Sequence, residues 1–383
     1  MAAIPALLPS TAFRNELRRR GGESAARCYQ CATCSSVCEL APAAQPFPRK
    51  QMLLAQWGMA DQLAADPAVW LCHQCNDCTV RCPRDARPGD VLGAIRSLAI
   101  EKLAFPTFLG KLVGAVRLTW PLLLGLPVLF WVALLGLTGR LAVPAGLEAG
   151  WAYDALVPHA FIYGVFFPVA GWVVLASWVA GRRFWAALGA SGARSGSFLA
   201  NLLPALGEVA THQRFGSCGA AKPRKLGHLT LLWGFVGAAV TSGLLIVGMY
   251  IQHLPMPLAL SHPYKILGNL SAGLLIVGAA ILVGNRLGDR NVAGASSAFD
   301  TFFLTVVVLV IATGMVVELA RLAHAPSIAL STYILHLGFV MCLFLTFPYS
   351  KFAHMLYRTL AMVHARMAGL ERRRNGNALP ANH

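Results

Sequence analysis

Residues 28–38 read CYQCATCSSVC and residues 72–83 read CHQCNDCTVRCP, so one cysteine spacing occurs twice within a short stretch. In each run three cysteines fall within seven residues, as Cys28, Cys31 and Cys34 and again as Cys72, Cys75 and Cys78. Three thiolates so spaced can wrap three corners of an iron–sulfur cubane, and a fourth cysteine three residues on serves the neighbouring cluster in two-cluster proteins. The spacing therefore predicts one [4Fe–4S] cluster on Cys28, Cys31, Cys34 and Cys82, and another on Cys72, Cys75, Cys78 and Cys38. Zinc sites would use paired Cys-x-x-Cys units rather than a duplicated three-plus-one run. Disulfides are disfavoured because thiolates kept for metal suit a reducing compartment.

Outward from this stretch, the 33 residues between Cys38 and Cys72 contain Pro46 and Pro48 and then apolar positions at helical spacing over 50–63. Such a gap suits an α-helical ferredoxin domain, assigned to residues 1–105. Its last segment, 91–105, reads as an amphipathic helix with Val91, Leu92, Ile95, Leu98 and Ala99 on one side, leading to the bilayer surface.

Beyond it the composition changes. The 383-residue chain is 56% apolar and only 13% charged, with a mean hydropathy of +0.59. These values exclude an ordinary soluble protein. Six long apolar spans lie near 120–139, 156–180, 229–251, 266–284, 301–320 and 328–348. Each has the roughly 20 residues needed to cross a bilayer core of about 30 Å. The fold expected is mainly α: a two-cluster ferredoxin domain, then a six-helix transmembrane bundle of cytochrome b type over 106–370. A polar tail, 371–383, is expected to be disordered.

The net charge of +16 follows from topology rather than from nucleic-acid binding, because 29 of the 32 lysines and arginines fall on one side of the six spans. Only Arg140, Lys265 and Arg321 fall on the other. Positive charge marks the cytoplasmic face, and no secretory leader precedes the cysteines. A multi-pass protein of the cytoplasmic membrane is expected, with both termini and the cysteine runs on the cytoplasmic side.

Ionisable residues within spans mark cofactors or pathways. His336 and His354 are 18 residues apart, five helical turns or roughly 27 Å along one helix, a spacing suited to two haems. Pro348 lies between them and is expected to kink the helix, which makes the register approximate. His228 opens the third span on the side where the sixth ends, so His228 and His354 are expected to hold one b-type haem. His336 needs a partner from the outer leaflet: His159 is preferred, and His262 is second. Glu318, with Arg321 one turn on, reads first as an interfacial ion pair, though a carboxylate there could take a proton from a quinol. With His262 and Lys265 it makes the candidate quinone site. His212 and Cys218 make too few ligands for a metal site, and their loop reads as a contact for a partner subunit. Cys342 reads as a small buried hydrophobe. No nucleotide-binding or hydrolytic motif is evident.

On these residues the chain resembles known redox modules. CYQCATCSSVC with WLCHQCNDCTVRCP is similar to the small iron–sulfur subunit of heterodisulfide reductases, and the helices from 226 onward resemble the dihaem cytochrome b subunit of membrane nitrate reductases. Their fusion resembles the membrane subunit, itself such a fusion, of the quinone-interacting membrane-bound oxidoreductase complex. That resemblance implies an oxidoreductase subunit passing electrons between the quinone pool, b-type haem, two [4Fe–4S] clusters and soluble flavin and iron–sulfur partner subunits. It also implies a link to adenylylsulfate reductase in dissimilatory sulfur metabolism. A heterodisulfide-reductase-like or sulfite-reductase-linked module is the alternative, and a haem-free membrane anchor is the rival of another class. Two departures stand out: Ala238 replaces a histidine expected ten residues after His228, and Glu39 follows Cys38 where proline is usual.

Overall fold

A computed structural model describes residues 8–42, 44–147, 150–217, 222–288, 294 and 296–370. The expected tail and Cys218 lie outside the described residues. Among those described there are helices and no strands.

The N-terminal part is a set of short helices around one longer one. α1 (Thr11–Leu17), α2 (Thr33–Ser36), α3 (Arg49–Trp57), α4 (Ala60–Ala64), α5 (Pro67–Leu71) and α6 (Asp77–Val80) precede α7 (Pro88–Leu103). Asp66 caps α5 by accepting from the Ala68 amide at 2.9 Å, with Pro67 at the first helical position, where its missing N–H costs nothing. α7 forms as its periodicity predicts, but its apolar side does not meet lipid. Val91, Leu92 and Ile95 are at most 1% exposed, at the centre of the iron–sulfur part.

α8 (Thr107–Gly114) leads into the bundle, formed by α9 (Val116–Leu137), α10 (His159–Leu188), α12 (Lys222–Tyr250), α13 (Pro263–Leu287), α14 (Ala298–Leu322) and α15 (Pro326–Thr346). These six are long and apolar enough to cross a membrane. Their outward positions, among them Leu118, Leu129, Phe167 and Val174, are exposed leucine, phenylalanine and valine, the surface expected of helices solvated by lipid. With no hydrophobic drive between helices in lipid, packing relies on small residues. α12 and α13 meet along such a seam: a Cβ on Gly234 would stand 2.8 Å from Leu275, and one on Gly278 would stand 2.8 Å from the Leu231 amide nitrogen.

Two features differ from expectation. α11 (Phe198–Thr211) is an apolar helix in a segment read as a basic loop. At 14 residues it is too short to span. The sixth span also does not continue to His354. α15 stops at Thr346, residues 347–350 turn, a short 3₁₀ segment covers Lys351–Ala353, and α16 (His354–Met367) begins anew. Pro348 lacks the N–H that would bond to the Phe344 carbonyl. Phe347 donates there instead, at 3.0 Å, and Ser350 caps the restart. His336 and His354 are thus on separate helices, and the five-turn geometry does not apply.

The iron–sulfur part is fastened to one end of the bundle, called the docked end below. Trp70 is fully buried, stacked on Tyr357 of α16 at 4.8 Å and edge-on to Phe184 of α10 at 6.0 Å. Ser191 donates to the Ala65 carbonyl (2.6 Å) and Tyr349 to that of Phe105 (2.7 Å). One apolar core runs from Leu17 through Trp70 and Phe184 to Ala365.

Candidate functional site

The two cysteine runs fold alike. Cys28 and Cys72 each follow a helical turn, Cys34 and Cys78 sit on the one-turn helices α2 and α6, and Cys38 and Cys82 lie just beyond them. Between them the backbone turns left-handed at matching positions, Gln30 and Ala32 in the first loop and Gln74 and Asn76 in the second, with φ between 52° and 70°. None is glycine, and such φ values cost non-glycine residues energy, so they mark constrained loops. The turns aim backbone amides inward: Gln30 N–H at Cys28 Sγ (3.5 Å), Gln74 N–H at Cys72 Sγ (3.3 Å) and Ala86 N–H at Cys82 Sγ (3.3 Å).

The fold brings the eight thiols together in two sets. Cys28 and Cys34 lie within electrostatic reach of Cys31 and Cys82, and Cys38 and Cys78 within reach of Cys72 and Cys75. Helices α2 and α6 pack together, so each run's last cysteine crosses to the other set. Desolvation pushes the Cys34 thiol up to about 11 and Cys38 up to about 12, with neighbouring cysteines adding to it. Cys78 is raised likewise. Cys31, at the surface, is lowered instead, chiefly by its hydrogen bond with the Thr33 hydroxyl. Buried thiols that resist ionisation on their own suit iron, which displaces their protons on binding.

A small cavity is lined by Cys38, Cys72, Cys75 and Cys78 with Phe47 and His73. Among the described residues, no group of three or more His, Cys, Asp or Glu closes around a single metal ion. Four thiols around one cavity, three of them from a single run, fit a [4Fe–4S] cluster. The residues present therefore fit two [4Fe–4S] clusters.

Behind the second loop stand the docked-end histidines. His228 lies within electrostatic reach of His354 and in ring contact with His212 (6.1 Å) and Phe215 (5.6 Å). Phe215 in turn meets His73 edge-on at 4.5 Å. His354 Nδ1 faces the Lys351 carbonyl. Since a carbonyl only accepts, that nitrogen carries the proton and Nε2 keeps its lone pair. Desolvation, with Arg358 beside it, keeps this imidazole neutral, its pKa down to about 3.

His336 is arranged in the same way. Its Nδ1 lies 3.0 Å from the Thr313 hydroxyl, which spends its own proton on the Leu309 carbonyl at 2.6 Å. His336 then donates from Nδ1, with the Val310 backbone also in hydrogen-bonding reach of the ring, and its lone pair is left on Nε2. Gly314 makes room for it, since a Cβ there would stand 2.9 Å from the ring. His262 has the opposite tautomer. Its Nδ1 accepts from the Tyr264 amide at 3.2 Å, capping α13, so Nε2 holds the proton. It can donate to an oxygen but offers iron no lone pair there. His159 stacks on Tyr163 at 5.8 Å, and Tyr163 lies within reach of Tyr333, one turn before His336. No direct contact among the described residues joins His159 to His336.

Far from the docked end, Lys265 reaches Glu318 at 2.7 Å and Arg321 reaches the same carboxylate at 3.2 Å. Tyr153 donates to the adjoining Val317 carbonyl at 2.5 Å. Sequence reasoning missed His73, Arg224, Arg358, Thr313 and Tyr153. Only His73, inside a Cys-x-x-Cys, carried a local signal.

With this geometry in place, the similarities are specific. The family described as citrate utilization protein B matches residues 111–378, and the 4Fe-4S dicluster domain family matches residues 24–86. The Escherichia coli citrate utilization protein B is 27% identical over 357 residues, covering 88% of each chain. A heterodisulfide reductase subunit-like protein of Archaeoglobus profundus is 37% identical over 89 residues, 23% of this chain and 47% of that protein. A subunit of the H(2):CoB-CoM heterodisulfide,ferredoxin reductase of Methanothermobacter thermautotrophicus is 34% identical over 106 residues, 27% of this chain and 55% of that one. The chain thus spans about half the length of these reductase relatives. No solved structure matches it. The N-terminal segment is a ferredoxin domain related to an iron–sulfur subunit of heterodisulfide reductases, a relationship that points to electron transfer.

Proposed function

The chain belongs to the citrate utilization protein B family, and from that premise we propose that it is the membrane subunit of an oxidoreductase, passing electrons between soluble partners and the quinone pool. Its parts divide near residue 105, with the ferredoxin domain before and a cytochrome b-type bundle after. The docked end faces the cytoplasm, as the distribution of lysine and arginine supports.

One observation carries the reading: a single side chain, Arg358, spans from the second cysteine loop to the histidine site. It donates to the Cys72 carbonyl at 2.9 Å from a position one helical turn after His354. Bound here, [4Fe–4S] clusters and a b-type haem would take up and release single electrons. Cys28, Cys31, Cys34 and Cys82 would hold one cluster and Cys72, Cys75, Cys78 and Cys38 the other. His228 and His354 would hold the haem, with Lys351 fixing the His354 tautomer. His336, whose lone pair is on Nε2, is assigned to a second haem, with His159 as partner. At the far end, the Nε2–H of His262 and the Lys265 ammonium are donors for a quinone oxygen. Glu318, held in place by Lys265 and Arg321, is the group that takes a proton there.

The soluble partners are flavin and iron–sulfur subunits. A partner acting in citrate utilization is favoured over adenylylsulfate reductase, because the likeness to the Escherichia coli protein runs through both parts of the chain. A reduced-minus-oxidised optical spectrum of the purified protein tests the conduit. A b-type haem band is expected, and His354→Ala should remove the share of it that comes from the haem at His228 and His354 while the cluster paramagnetic resonance signals stay. A spectrum without any haem band overturns the conduit and leaves a membrane anchor for a ferredoxin. Haem content unchanged in His354→Ala overturns the ligand assignment.

A further inference from the structure

The two cysteine loops are near-copies, yet their supports differ in charge. In the first, the Cys28 carbonyl accepts from the neutral side-chain amide of Gln56 at 2.9 Å, which also serves the Ala25 carbonyl at 3.0 Å. Gln56 belongs to α3, within the ferredoxin domain itself. In the second, the equivalent Cys72 carbonyl accepts from Arg358 Nη2 at 2.9 Å, while the same guanidinium donates through Nε to the Trp70 carbonyl at 3.0 Å. Its Nη1 lies 3.3 Å from His73 Nδ1. A second guanidinium, Arg224, donates to the carbonyls of His73 (2.6 Å) and Gln74 (2.8 Å). Both arginines come from outside the ferredoxin domain, at the start of α12 and on α16.

Further positive charge surrounds this loop. Arg96 and Arg214 also lie within electrostatic reach of His73. Arg96 has Nε and Nη2 buried with no hydrogen-bond partner among the described residues. Arg214 reaches Glu208 at 2.6 Å, a carboxylate it shares with Arg366. Guanidiniums gathered in a water-poor space repel one another. A cluster held by four thiolates carries net negative charge, which would attract these cations. Around the first loop, Arg49 faces Cys28 and Cys31 from an exposed position, where solvent screens it, and Arg27 is paired with Asp85 at 2.9 Å in the open.

We propose that Arg358 and Arg224 are positioning residues that fasten the second cysteine loop to the membrane helices and raise the reduction potential of the cluster bound there. Adding an electron makes the cluster more negative, so a nearby fixed cation stabilises the reduced form. Burial acts the other way, since it penalises the added charge, and the two guanidiniums offset that penalty. Of the two loops, the second is then the stage that exchanges electrons with the membrane, and the first is the stage that meets the soluble partner.

This inference rests on the reading that the cysteines hold two clusters, and its test separates the two. The detergent-solubilised full-length protein is titrated with redox mediators while paramagnetic resonance follows each reduced cluster. Cys78→Ala assigns the second-loop signal. Arg358→Gln is expected to lower the midpoint of that signal and leave the other in place, with iron content unchanged. Arg358→Lys, which keeps the charge but loses the fork, should recover most of the midpoint. Absence of any [4Fe–4S] signal from the unmodified protein overturns the cluster reading itself. Two signals whose midpoints are both unmoved, or move together, overturn the arginine role alone. If Arg358→Gln loses its second-loop signal altogether, the same titration of Arg224→Gln decides, and an unmoved midpoint there is refutation.

Discussion

The two cysteine loops share a spacing, a pair of left-handed turns and a one-turn helix, but they face different neighbours. The first is open. Tyr29 is 69% exposed, and Cys31 is at the surface. Arg84 lies over the Tyr29 ring at 4.1 Å. The second is closed over by residues from outside the ferredoxin domain: Arg224, Arg358 and Phe215 touch it, and a Cβ on Gly294 would stand 2.8 Å from Asn76. A duplicated motif has thus acquired two settings through what packs against it rather than through its own spacing. An exposed aromatic beside one thiol set is the kind of surface that meets a partner. A buried, cation-lined one is the kind that couples to a neighbouring centre.

Removing a thiol from each loop gives the largest expected difference. Cys34→Ala should lose one cluster, roughly four iron atoms per chain, and leave the fold of the bundle and its docked end intact. Cys78→Ala should lose as much iron and in addition loosen the dock, because Arg358 and Arg224 fasten this loop to the membrane helices and a bound cluster's negative charge would attract them. Limited proteolysis between residues 80 and 120, with iron analysis, checks both. Equal protection in the two variants would break the asymmetry between the loops.

Aromatic substitution should sharpen the same contrast. Trp70 is enclosed by Tyr357 and Phe184, so Trp70→Ala should destabilise the protein by about 3–5 kcal/mol. Tyr29→Ala, at an exposed position on the other loop, should change stability by no more than about 0.5 kcal/mol. Thermal unfolding in detergent measures the pair. A large loss from Tyr29→Ala would mean that the first loop is structurally anchored after all.

Local chemistry was legible in the sequence; contacts between distant segments were not. Three thiols of each set are close neighbours in the chain, so their spacing alone announces a shared site. The six apolar helices follow from hydropathy alone, with boundaries shifted by several residues where α10 and α12 extend beyond the apolar stretch. Arg358 could not be read, since its bond to the Trp70 carbonyl joins residues 288 apart. Nothing near either one announces the other. Pro348 signalled the irregularity before His354, but as a kink within one helix, whereas the helix ends at Thr346 and a new one begins at His354. α11 was hidden by the basic residues of the segment around it. Tautomers add what composition cannot: His262 and His336 are the same residue type, and only their hydrogen bonds make one a donor and leave the other a lone pair.

The smallest effect is the most local. Ala32 and Asn76 occupy equivalent left-handed positions, with φ of 70° and 67°, each just before a one-turn helix. An alanine there meets steric strain of roughly 1–2 kcal/mol that glycine escapes. Glycine gives back part of that gain through the greater freedom of its unfolded chain. Ala32→Gly should therefore stabilise the protein modestly, by about 0.5–1 kcal/mol. Asn76 is different. Asparagine tolerates the left-handed region, and its buried amide packs against Gly89 and Gly294, so Asn76→Gly removes those contacts for little conformational relief. The first substitution should raise the unfolding midpoint and the second should lower it, both read by thermal shift at fixed detergent and iron content. Opposite signs at matched positions would establish that the loops are held differently even at the level of one backbone torsion, and equal signs would mean that backbone geometry outweighs the membrane helices.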